Sequence, residues 1–296
     1  MKKSAKFQNT LTLRSYAKIN LSLDVLGKTD NGYHQLCMMM QTVSLHDDIQ
    51  ITKTTHAGQI ELACNSPYVP CDERNIAHKA ARLLFDTYPE ATRGFGVFIR
   101  IEKRIPVAAG LAGGSGNAAA VLHGINRLFQ LHLSIETLCA LGVTLGADVP
   151  YCLVGGTKLS EGIGEILTPL PKFPKLPIVL VNPGKPLSTK AVFGAITDIP
   201  SLPHPNTPVL LEALQVGDVE KFLQNTANSL EAPAISAMPE IATIKEDLMK
   251  KGALGAMMSG SGPTVFGIFD DVEKAREAVA YFRKKRDRSF LTSPVG

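Results

Sequence analysis

The stretch Pro106-Val-Ala-Ala-Gly110-Leu-Ala-Gly-Gly-Ser-Gly-Asn117 runs directly into Ala118-Ala-Ala-Val-Leu122, a series of strong helix formers. Four glycines and one serine fall within the seven residues from Gly110 to Gly116. With so few side chains the backbone can approach a ligand closely, and glycine accepts the positive φ that turns N–H groups inward. A helix predicted from Asn117 adds unpaired N–H donors and the positive end of its dipole. The stretch predicts an anion site, most simply for phosphate, with a flexible glycine-rich turn as the alternative.

Composition indicates a folded globular chain. The 296 residues are 45% hydrophobic and 20% charged, enough for one large or two ordinary domains. No stretch approaches the roughly 18 apolar residues of a membrane span, and the basic start from Met1 to Lys6 is not followed by the apolar core of a signal peptide. We expect a cytoplasmic protein with free thiols, because the five cysteines are never spaced as CxxC; they are residues 37, 64, 71, 139 and 152.

Charge and histidine spacing restrict the partners. The net charge of +4 suits an anionic small molecule and does not demand nucleic acid. The basic run from Arg283 to Arg288 closes a predicted helix, where cations are favoured, so we interpret it as a solvated helix end. The seven histidines show no HxH or HExxH spacing, so no protein-held transition metal is predicted.

A long alternating segment, Leu11 to Val25, predicts a strand that is packed on one side. Lys18 and Asn20 share its polar face, about 7 Å apart along the strand. A lysine in this position is ordinarily only solvated. The predicted apolar face comprises Leu11, Leu13, Ala17, Ile19, Leu21, Leu23 and Val25.

The other elements up to residue 156 follow from periodicity and turn signals. Strands are predicted over 38–45, 49–51, 59–64 and 96–101, and helices over 75–85, 117–128 and 134–146. Asp47 and Asp48 are expected to turn the chain between the first two of these strands. Pro150 is expected to hold Val149 extended, which places Asp148 in a tight connection; an aspartate there can equally be a turn or cap residue.

The proline-containing segment from Lys172 to Pro177 predicts a domain boundary, with domains over 1–171 and 172–296. Beyond it we predict strands over 178–181, 254–258, 265–269 and 290–291. Helices are predicted from Ser188, Pro208, Asp218 and Pro239, and over 272–285. Apart from the extra helices this order is βαββαβ, the split βαβ arrangement on one antiparallel sheet.

Two familiar phosphate-binding motifs do not account for the glycine stretch. A P-loop requires GxxxxGK[ST], and no lysine follows the glycines here. The segment from Gly114 to Ala119 fits the dinucleotide pattern GxGxxA literally. However, residues 102–109 separate it from the preceding strand, and the acidic residue expected about 20 positions later would be Glu136, in the first turn of a helix.

Three ordered motifs resemble those of the GHMP kinase superfamily. They are Ala17-Lys-Ile-Asn-Leu21, Pro106-x3-Gly110-Leu-x-Gly-Gly-Ser115 and Gly260-Ser-Gly-Pro-Thr264. Further pieces resemble the branch that acts on a cytidylated methylerythritol in non-mevalonate isoprenoid biosynthesis: Asp30-Asn-Gly32-Tyr-His34, Leu145-Gly-Ala-Asp148-Val-Pro150, Val181-Asn-Pro183, Ser188-Thr189-x3-Phe193 and Asn228-x-Leu-Glu231. The resemblance implies an α+β two-domain GHMP kinase fold, with an N-terminal α/β domain of a ribosomal-protein type and a C-terminal ferredoxin-like split βαβ domain.

The resemblance also implies the reaction and its groups. The γ-phosphoryl of ATP, with Mg²⁺ whose ligands are not assigned, passes to the substrate's 2-hydroxyl. Asp148 matches the family's base, and Lys18 matches the paired lysine, whose charge keeps the carboxylate ionised and lowers the hydroxyl's pKa. The ATP-binding residues are Pro106, Val107, Ala108, Ala109, Gly110, Leu111, Ala112, Gly113, Gly114, Ser115 and Gly116.

The substrate-binding residues implied by the resemblance are Asn20, Tyr33, His34, Thr189 and Phe193. Tyr33 and Phe193 match aromatics that sandwich cytosine, which is ordinary offset stacking. His34 and Asn20 match contacts to the cytidine end and the polyol. Core packing is the alternative for both aromatics. The loop at Gly260 to Thr264 is expected to close the substrate side of the phosphate cleft.

One departure from the family pattern concerns the glycine stretch. The family usually reads Gly-Gly-Ser-Ser-Asp-Ala-Ala, whereas this chain has Gly116 and Asn117 at the fourth and fifth positions. A hydroxyl that could touch phosphate or magnesium is lost, and so is a charge at the helix start. Asparagine remains a good N-cap, so we expect the helix to form and the backbone cradle to suffice.

Two alternative functions stay open. A related kinase for mevalonate or homoserine is disfavoured by Tyr33, His34 and Phe193. A non-catalytic RNA-binding protein would need a basic face, which the mild net charge disfavours. The predicted partners are therefore ATP and a small-molecule substrate, without nucleic acid or membrane; the oligomeric state stays undetermined.

Overall fold

A computed structural model describes residues 9–29, 32–285 and 288–296. The expectations for residues 1–6, and parts of those for the motif from Asp30 to His34 and the basic run at 283–288, lie outside the described residues. The strands are β1 Thr10–Lys28, β2 His34–Thr54, β3 Ile60–Cys64, β4 Gly96–Glu102, β5 Thr157–Gly162, β6 Ile166–Pro169, β7 Ile178–Asn182, β8 Gly255–Met258, β9 Val265–Ile268 and β10 Arg288–Thr292. The helices are α1 Ile76–Thr87, α2 Pro89–Thr92, α3 Gly113–Leu128, α4 Ile135–Val143, α5 Val149–Val154, α6 Thr189–Gly194, α7 Thr207–Val216, α8 Val219–Gln224, α9 Glu231–Ala237, α10 Glu240–Lys250 and α11 Val272–Lys285.

The chain forms two compact units, each assembled from separate stretches of sequence. Of the described residues, unit 1 comprises 9–15, 46–104 and 114–154, and unit 2 comprises 16–29, 32–45, 105–113, 155–285 and 288–296. β1 and β2 contribute residues to both units. The predicted division at residues 171 and 172 stays a prediction.

In unit 1, helices cover a small mixed sheet. The second half of β2 pairs antiparallel with β4, from Asp48 opposite Glu102 to Thr54 opposite Gly96, and β3 pairs parallel with β4. α1 begins directly after Asn75, the first residue of the predicted helix. The Asn75 side chain accepts a hydrogen bond from the Ala77 amide and caps the helix. The core is apolar and includes the buried Ile49, Leu84, Ile99, Val121 and Val149.

Unit 2 contains the predicted split βαβ arrangement. Its antiparallel sheet has the strand order β10-β7-β9-β8, so the βαββαβ interpretation is confirmed. Every residue of β7 is buried, as expected for a central strand. The first half of β2 pairs with β5, and β5 pairs with β6. β5, β6 and α9 were not predicted from the sequence; the two strands are short and partly exposed.

The expected turn at Asp47 and Asp48 is wrong, because β2 runs through both residues without interruption. Asp47 is fully buried in this strand. Its Oδ2 accepts a hydrogen bond from Lys103 Nζ at 2.5 Å, and its Oδ1 accepts one from the Arg104 backbone N–H at 2.7 Å. A buried carboxylate is stable only with such partners, and they lie 56 and 57 positions away, beyond the reach of local turn rules.

Two further expectations are wrong. α3 begins at Gly113, four positions before the predicted start at Asn117. Val149 is not extended but opens α5, since Pro150 falls in the first helical turn, where its missing N–H costs nothing. Asp148 therefore immediately precedes a short helix, and its carbonyl accepts a hydrogen bond from the Cys152 amide at 3.0 Å.

Candidate active site

The polar face of β1 lies in the interior of unit 2, so the expectation of a strand packed on one side is wrong. Lys18, Asn20, Ser22 and Asp24 are all less than 10% exposed. Remote segments cover them. The Asn20 amide donates to Ser259 Oγ, and the backbone of Leu23 pairs with residues 227–229. Burying four polar side chains on one strand requires partners for each of them, which marks this face as a candidate site.

Lys18 and Asn20 form a direct pair on that face. Lys18 Nζ donates to Asn20 Oδ1 at 2.6 Å, and Asn20 Nδ2 donates to Met38 Sδ at 3.3 Å. The prediction that the two side chains point the same way is confirmed. A Cβ placed on Gly260 would lie 3.3 Å from both Lys18 Nζ and Asn20 Oδ1, so the glycine brings its backbone close to the pair.

The glycine stretch obtains its shape from alternating backbone conformations. Ala108, Gly110 and Ala112 have φ values of 51°, 75° and 52°. Gly113, Gly114 and Gly116 belong instead to α3, so glycine supplies only one of the three left-handed positions. Alanine is strained in this region by about 1–2 kcal/mol per residue. Such alternation orients successive N–H groups into an anion-binding concavity.

Within unit 2, the carbonyl groups of residues 109–111 accept hydrogen bonds from other segments and so hold the glycine loop in place. The Ala109 carbonyl accepts from the Thr264 amide, the Gly110 carbonyl from Ser259 Oγ at 2.9 Å, and the Leu111 carbonyl from the Lys18 amide at 3.1 Å. The Ala109 and Leu111 side chains are buried in the unit 2 core. Within the described part of the chain, the N–H groups of residues 110–112 donate to no acceptor. Those amides are therefore the donors that an anion can use.

The loop from Ser259 to Thr264, together with the adjoining Met258, is held by four polar side chains from three other segments. Asn182 Nδ2 donates to Thr264 Oγ1 at 2.9 Å, and Thr189 Oγ1 lies 2.7 Å from Ser261 Oγ. Asn228 Nδ2 lies 2.8 Å from the Met258 and Gly260 carbonyls, and Glu231 Oε1 accepts from the Met258 amide. The family-like pieces around Val181, Ser188 and Asn228 thus converge on one loop.

Ser259 and the residues that hold its loop were not among the predicted site residues. Ser259 Oγ accepts from the Asn20 amide and donates to the Gly110 carbonyl, so it joins β1 to the glycine stretch. The signal was present in the sequence as the two serines of Ser259-Gly-Ser261-Gly, but their partners lie far away along the chain.

The predicted cytosine-binding residues are partly brought together. The His34 and Phe193 rings lie 4.9 Å apart at an interplanar angle of 34°, while Val192, beside Phe193, is buried in the core. His34 Nε2 is buried and has no hydrogen-bond partner among the described residues. Burial lowers the pKa of His34 below its ordinary value, and the charge of Lys28 lowers it further. Tyr33 is 59% exposed.

The prediction that Asn117 caps α3 is wrong. Asn117 lies within the helix and is 3% exposed. In unit 1 its Nδ2 donates to Ser15 Oγ at 3.1 Å and to Asp47 Oδ2 at 2.9 Å. The amide is therefore a third donor to the buried Asp47 carboxylate, beside Lys103 and Arg104. A neutral donor at position 117 suits this neighbour, and an acid would not.

The described residues contain neither a cluster suited to a metal ion nor a helix suited to span a membrane. No group of three or more His, Cys, Asp or Glu side chains is placed to hold a metal ion among them. Nor does any helix of the described chain have the length and apolar character needed to cross a bilayer.

The fold and the matched regions are those of one class of enzyme. Residues 75–156 match the family model of the GHMP kinases N-terminal domain, and residues 210–286 match that of the GHMP kinases C-terminal domain. The crystal structure of a homoserine kinase from Cytophaga hutchinsonii, at 18% identity, has a TM-score of 0.76 over 100% of this chain and 97% of that one. At this identity the likeness concerns the fold alone.

Closer relatives narrow the class. A 4-diphosphocytidyl-2-C-methyl-D-erythritol kinase from Clostridium botulinum is 46% identical over 96% of this chain and 100% of its own length. One from Lachnoclostridium phytofermentans is 49% identical over 92% of this chain and 91% of its own. The crystal structure of a 4-(cytidine 5'-diphospho)-2C-methyl-D-erythritol kinase has a TM-score of 0.81, at 33% identity over 97% of this chain and 100% of that one. The chain therefore belongs to the 4-diphosphocytidyl-2-C-methyl-D-erythritol kinase family of the GHMP kinases.

Replacement of Gly110 tests the close approach of the two loops. A Cβ at this position would lie 2.1 Å from the Ser259 carbonyl oxygen, and φ is +75°. We expect Gly110→Ala to lower the apparent affinity for ATP at least tenfold, because the loop must move away from Ser259. Gly217→Ala is the matched control, since φ there is +73° and a Cβ would meet nothing within 4 Å. It should lose about 1–2 kcal/mol of unfolding free energy from strain alone and leave the ATP affinity unchanged. Equal effects of the two substitutions would contradict the close approach.

Replacement of Asn117 by the acid usual in the family tests the Asp47 network. Asn117→Asp would put two carboxylates in contact, which raises the pKa of one of them, so the stability lost should grow as pH rises through that pKa. We expect a loss of about 2–4 kcal/mol at pH 8, measured by urea unfolding.

The double variant Asn117→Asp with Asp47→Asn should recover most of this loss, because one amide and one acid then share the site. The native chain should turn over ATP without the acid. A native chain that is silent beside an active Asn117→Asp variant would contradict both the interpretation of the network and the sufficiency of the backbone cradle.

Proposed function

We propose that the chain transfers the γ-phosphoryl group of ATP to the 2-hydroxyl of 4-diphosphocytidyl-2-C-methyl-D-erythritol, in non-mevalonate isoprenoid biosynthesis. One observation carries the proposal. The left-handed glycine loop, the Lys18–Asn20 pair and the His34–Phe193 rings all lie in unit 2, where they offer an anion site, a cation and a ring site. The names of the relatives support the same substrate.

The triphosphate is proposed to bind at residues 106–116. The free amides of residues 110–112 and the first N–H groups of α3 are donors suited to phosphate oxygens. Ser115, in the first turn of α3, adds a hydroxyl. Mg²⁺ is proposed to arrive bound to ATP, since this ion commonly retains water and is held largely by phosphates. When bound, it neutralises charge that develops on the transferred group.

Lys18 and Asp148 are proposed to carry the chemistry. Asp148 accepts the proton of the substrate hydroxyl as the new bond to phosphorus forms, since a tertiary alcohol is too weak an acid to be deprotonated beforehand. Lys18 supplies positive charge that stabilises the developing alkoxide. Its Nζ is oriented by Asn20 Oδ1, and burial of both side chains strengthens the electrostatic effect.

The cytosine end is proposed to bind at Tyr33, His34 and Phe193. The exposed Tyr33 ring and the half-buried Phe193 ring provide faces for stacking. His34 Nε2 is a buried polar atom without a hydrogen-bond partner among the described residues, and the lowered pKa of His34 keeps the imidazole neutral, able to donate and to accept. Thr189 and Asn20 are proposed to contact the polyol. Mevalonate and homoserine have no ring that would use these aromatics.

A cytoplasmic location is proposed on the basis of the cysteines, because all five are free thiols.

A substrate panel tests the proposal. ADP release from Mg-ATP is measured with cytidylated methylerythritol, mevalonate and homoserine, and phosphorus NMR locates the new phosphate ester. We expect turnover only of the first, with the ester at the 2-hydroxyl. Asp148→Asn should reduce kcat by about 10²–10⁴-fold with the fold intact by circular dichroism. Turnover of mevalonate or homoserine instead, or full activity of Asp148→Asn, would overturn the assignment.

A second measurement tests the stacking role of Phe193. Phe193→Leu keeps apolar bulk but removes the ring, so KM for the cytidylated substrate should rise about three- to tenfold with KM for ATP unchanged. Phe193→Tyr is the matched control, because it retains the ring and should retain the wild-type KM. If Leu and Tyr behave alike, Phe193 serves only to pack the helix.

A further inference from the structure

His204, in unit 2, lies between two hydrogen-bond acceptors. Its Nδ1 is 2.6 Å from Asp24 Oδ1, and its Nε2 is 3.0 Å from the Ile199 carbonyl oxygen. A neutral imidazole has a single N–H and can satisfy only one of them. With Asp24 ionised, both contacts require the doubly protonated ring. The geometry therefore describes an imidazolium held between a carboxylate and a carbonyl.

Among the residues that the structure describes, Asp24 is the charge that acts on His204. Asp24 is 8% exposed, while the His204 side chain is 37% exposed. The hydrogen bond to Asp24 raises the pKa of His204 above its ordinary value. The negative charges of Glu161 on β5 and of Asp24 both act on the Cys37 thiol on β2. Burial raises the pKa of Cys37, so the thiol stays neutral near pH 7.

Asp24 joins three segments of unit 2. Ser229 Oγ lies 3.2 Å from Asp24 Oδ1 and 2.9 Å from the Pro203 carbonyl, and it accepts a hydrogen bond from the Val25 amide. The carboxylate thus links β1, the segment before α9, and residues 195–206, which connect α6 to α7. His204 is the charged contact between this connection and β1.

The connection follows directly after the residues that form the substrate side of the site. α6 carries Thr189 and Phe193, and it ends at Gly194, ten positions before His204. β1 carries Asn20 four positions before Asp24 and ends at Lys28, six positions before His34 at the start of β2. A tie between Asp24 and His204 therefore limits how far Phe193 can move from His34, whose rings lie 4.9 Å apart.

We propose that His204 is a positioning residue for the cytosine end of the substrate: its imidazolium ties the connection after α6 to Asp24 on β1 and so keeps Phe193 over His34. This inference rests on the proposed function. His204 touches no reacting group, so it should affect KM for the cytidylated substrate and leave kcat and KM for ATP unchanged.

The pH dependence follows from the sign of the shift. A histidine whose folded pKa is raised contributes stability that is complete below its unfolded pKa, about 6.5, and that is lost as pH rises through the folded value. KM for the cytidylated substrate should accordingly rise on the alkaline side of pH 6.5. His34 has a lowered pKa, so its own titration falls on the acid side and is separable.

The test compares wild type with two variants between pH 5.5 and 9. In wild type, KM for the cytidylated substrate should rise about three- to tenfold, with a midpoint equal to the His204 pKa measured from its ring proton signals by NMR. His204→Gln should show the high KM at every pH. His204→Arg keeps a planar cation with several donors and should retain the low KM up to pH 9.

His56→Gln is the matched control, since His56 is an exposed histidine of unit 1 that lies 3.8 Å from Glu61, and it should leave the profile unchanged. A flat alkaline limb in wild type, or a loss of kcat with constant KM in His204→Gln, would overturn the positioning role while leaving the proposed function intact. If the wild-type protein phosphorylates another panel substrate, the proposed function is overturned instead. The NMR titration then still shows whether His204 is held as an imidazolium between Asp24 and the Ile199 carbonyl.

Discussion

The approach of the Gly110 backbone to the Ser259 carbonyl is the constraint on which the site in unit 2 depends. Residue 110 has no room for a side chain, because the first carbon would lie 2.1 Å from that oxygen. At this separation Ser259 Oγ reaches the Gly110 carbonyl and the Asn20 amide together. The glycine loop, β1 and the 259–264 loop are thereby fixed as one assembly. The strained alanines at 108 and 112 persist because this assembly holds the residues between them.

The same assembly explains why a lysine can be buried on a strand. Lys18 is 5% exposed, and desolvation of an ammonium is costly unless acceptors surround it. Asn20 Oδ1 provides one at 2.6 Å, and Gly260 allows the backbone to come close. A cation held in this way cannot reorient when charge develops nearby. Electrostatic stabilisation of a transition state is effective when its groups are already in position, which is what phosphoryl transfer requires.

Features set by local sequence pattern could be predicted, whereas features set by contacts distant in sequence could not. The alternation around Lys18 predicted β1 and the common direction of Lys18 and Asn20, and the βαββαβ order in unit 2 followed from element sequence alone. Burial of the polar face could not be predicted, because the covering residues near Ser259 lie some 240 positions away. Asp47 was misassigned to a turn for the same reason: the donors that make it tolerable in a strand belong to residues 103, 104 and 117. The family resemblance identified candidate site residues, whereas the structure shows the hydrogen bonds that fix residues such as Lys18 and Asn20.

The unusual residue 117 illustrates that difference. Considered as part of a phosphate-binding motif, Asn117 lacks the negative charge that the family's aspartate places at the start of a helix. In the structure the helix has already begun at Gly113, and the side chain is buried against Ser15 and Asp47. The helix dipole acts within the first turn, so an acid at this position would add little there while facing a buried carboxylate. The identity of residue 117 is thus governed by the charge balance of the unit 1 interior, and the anion proposed to bind the loop is left to backbone donors.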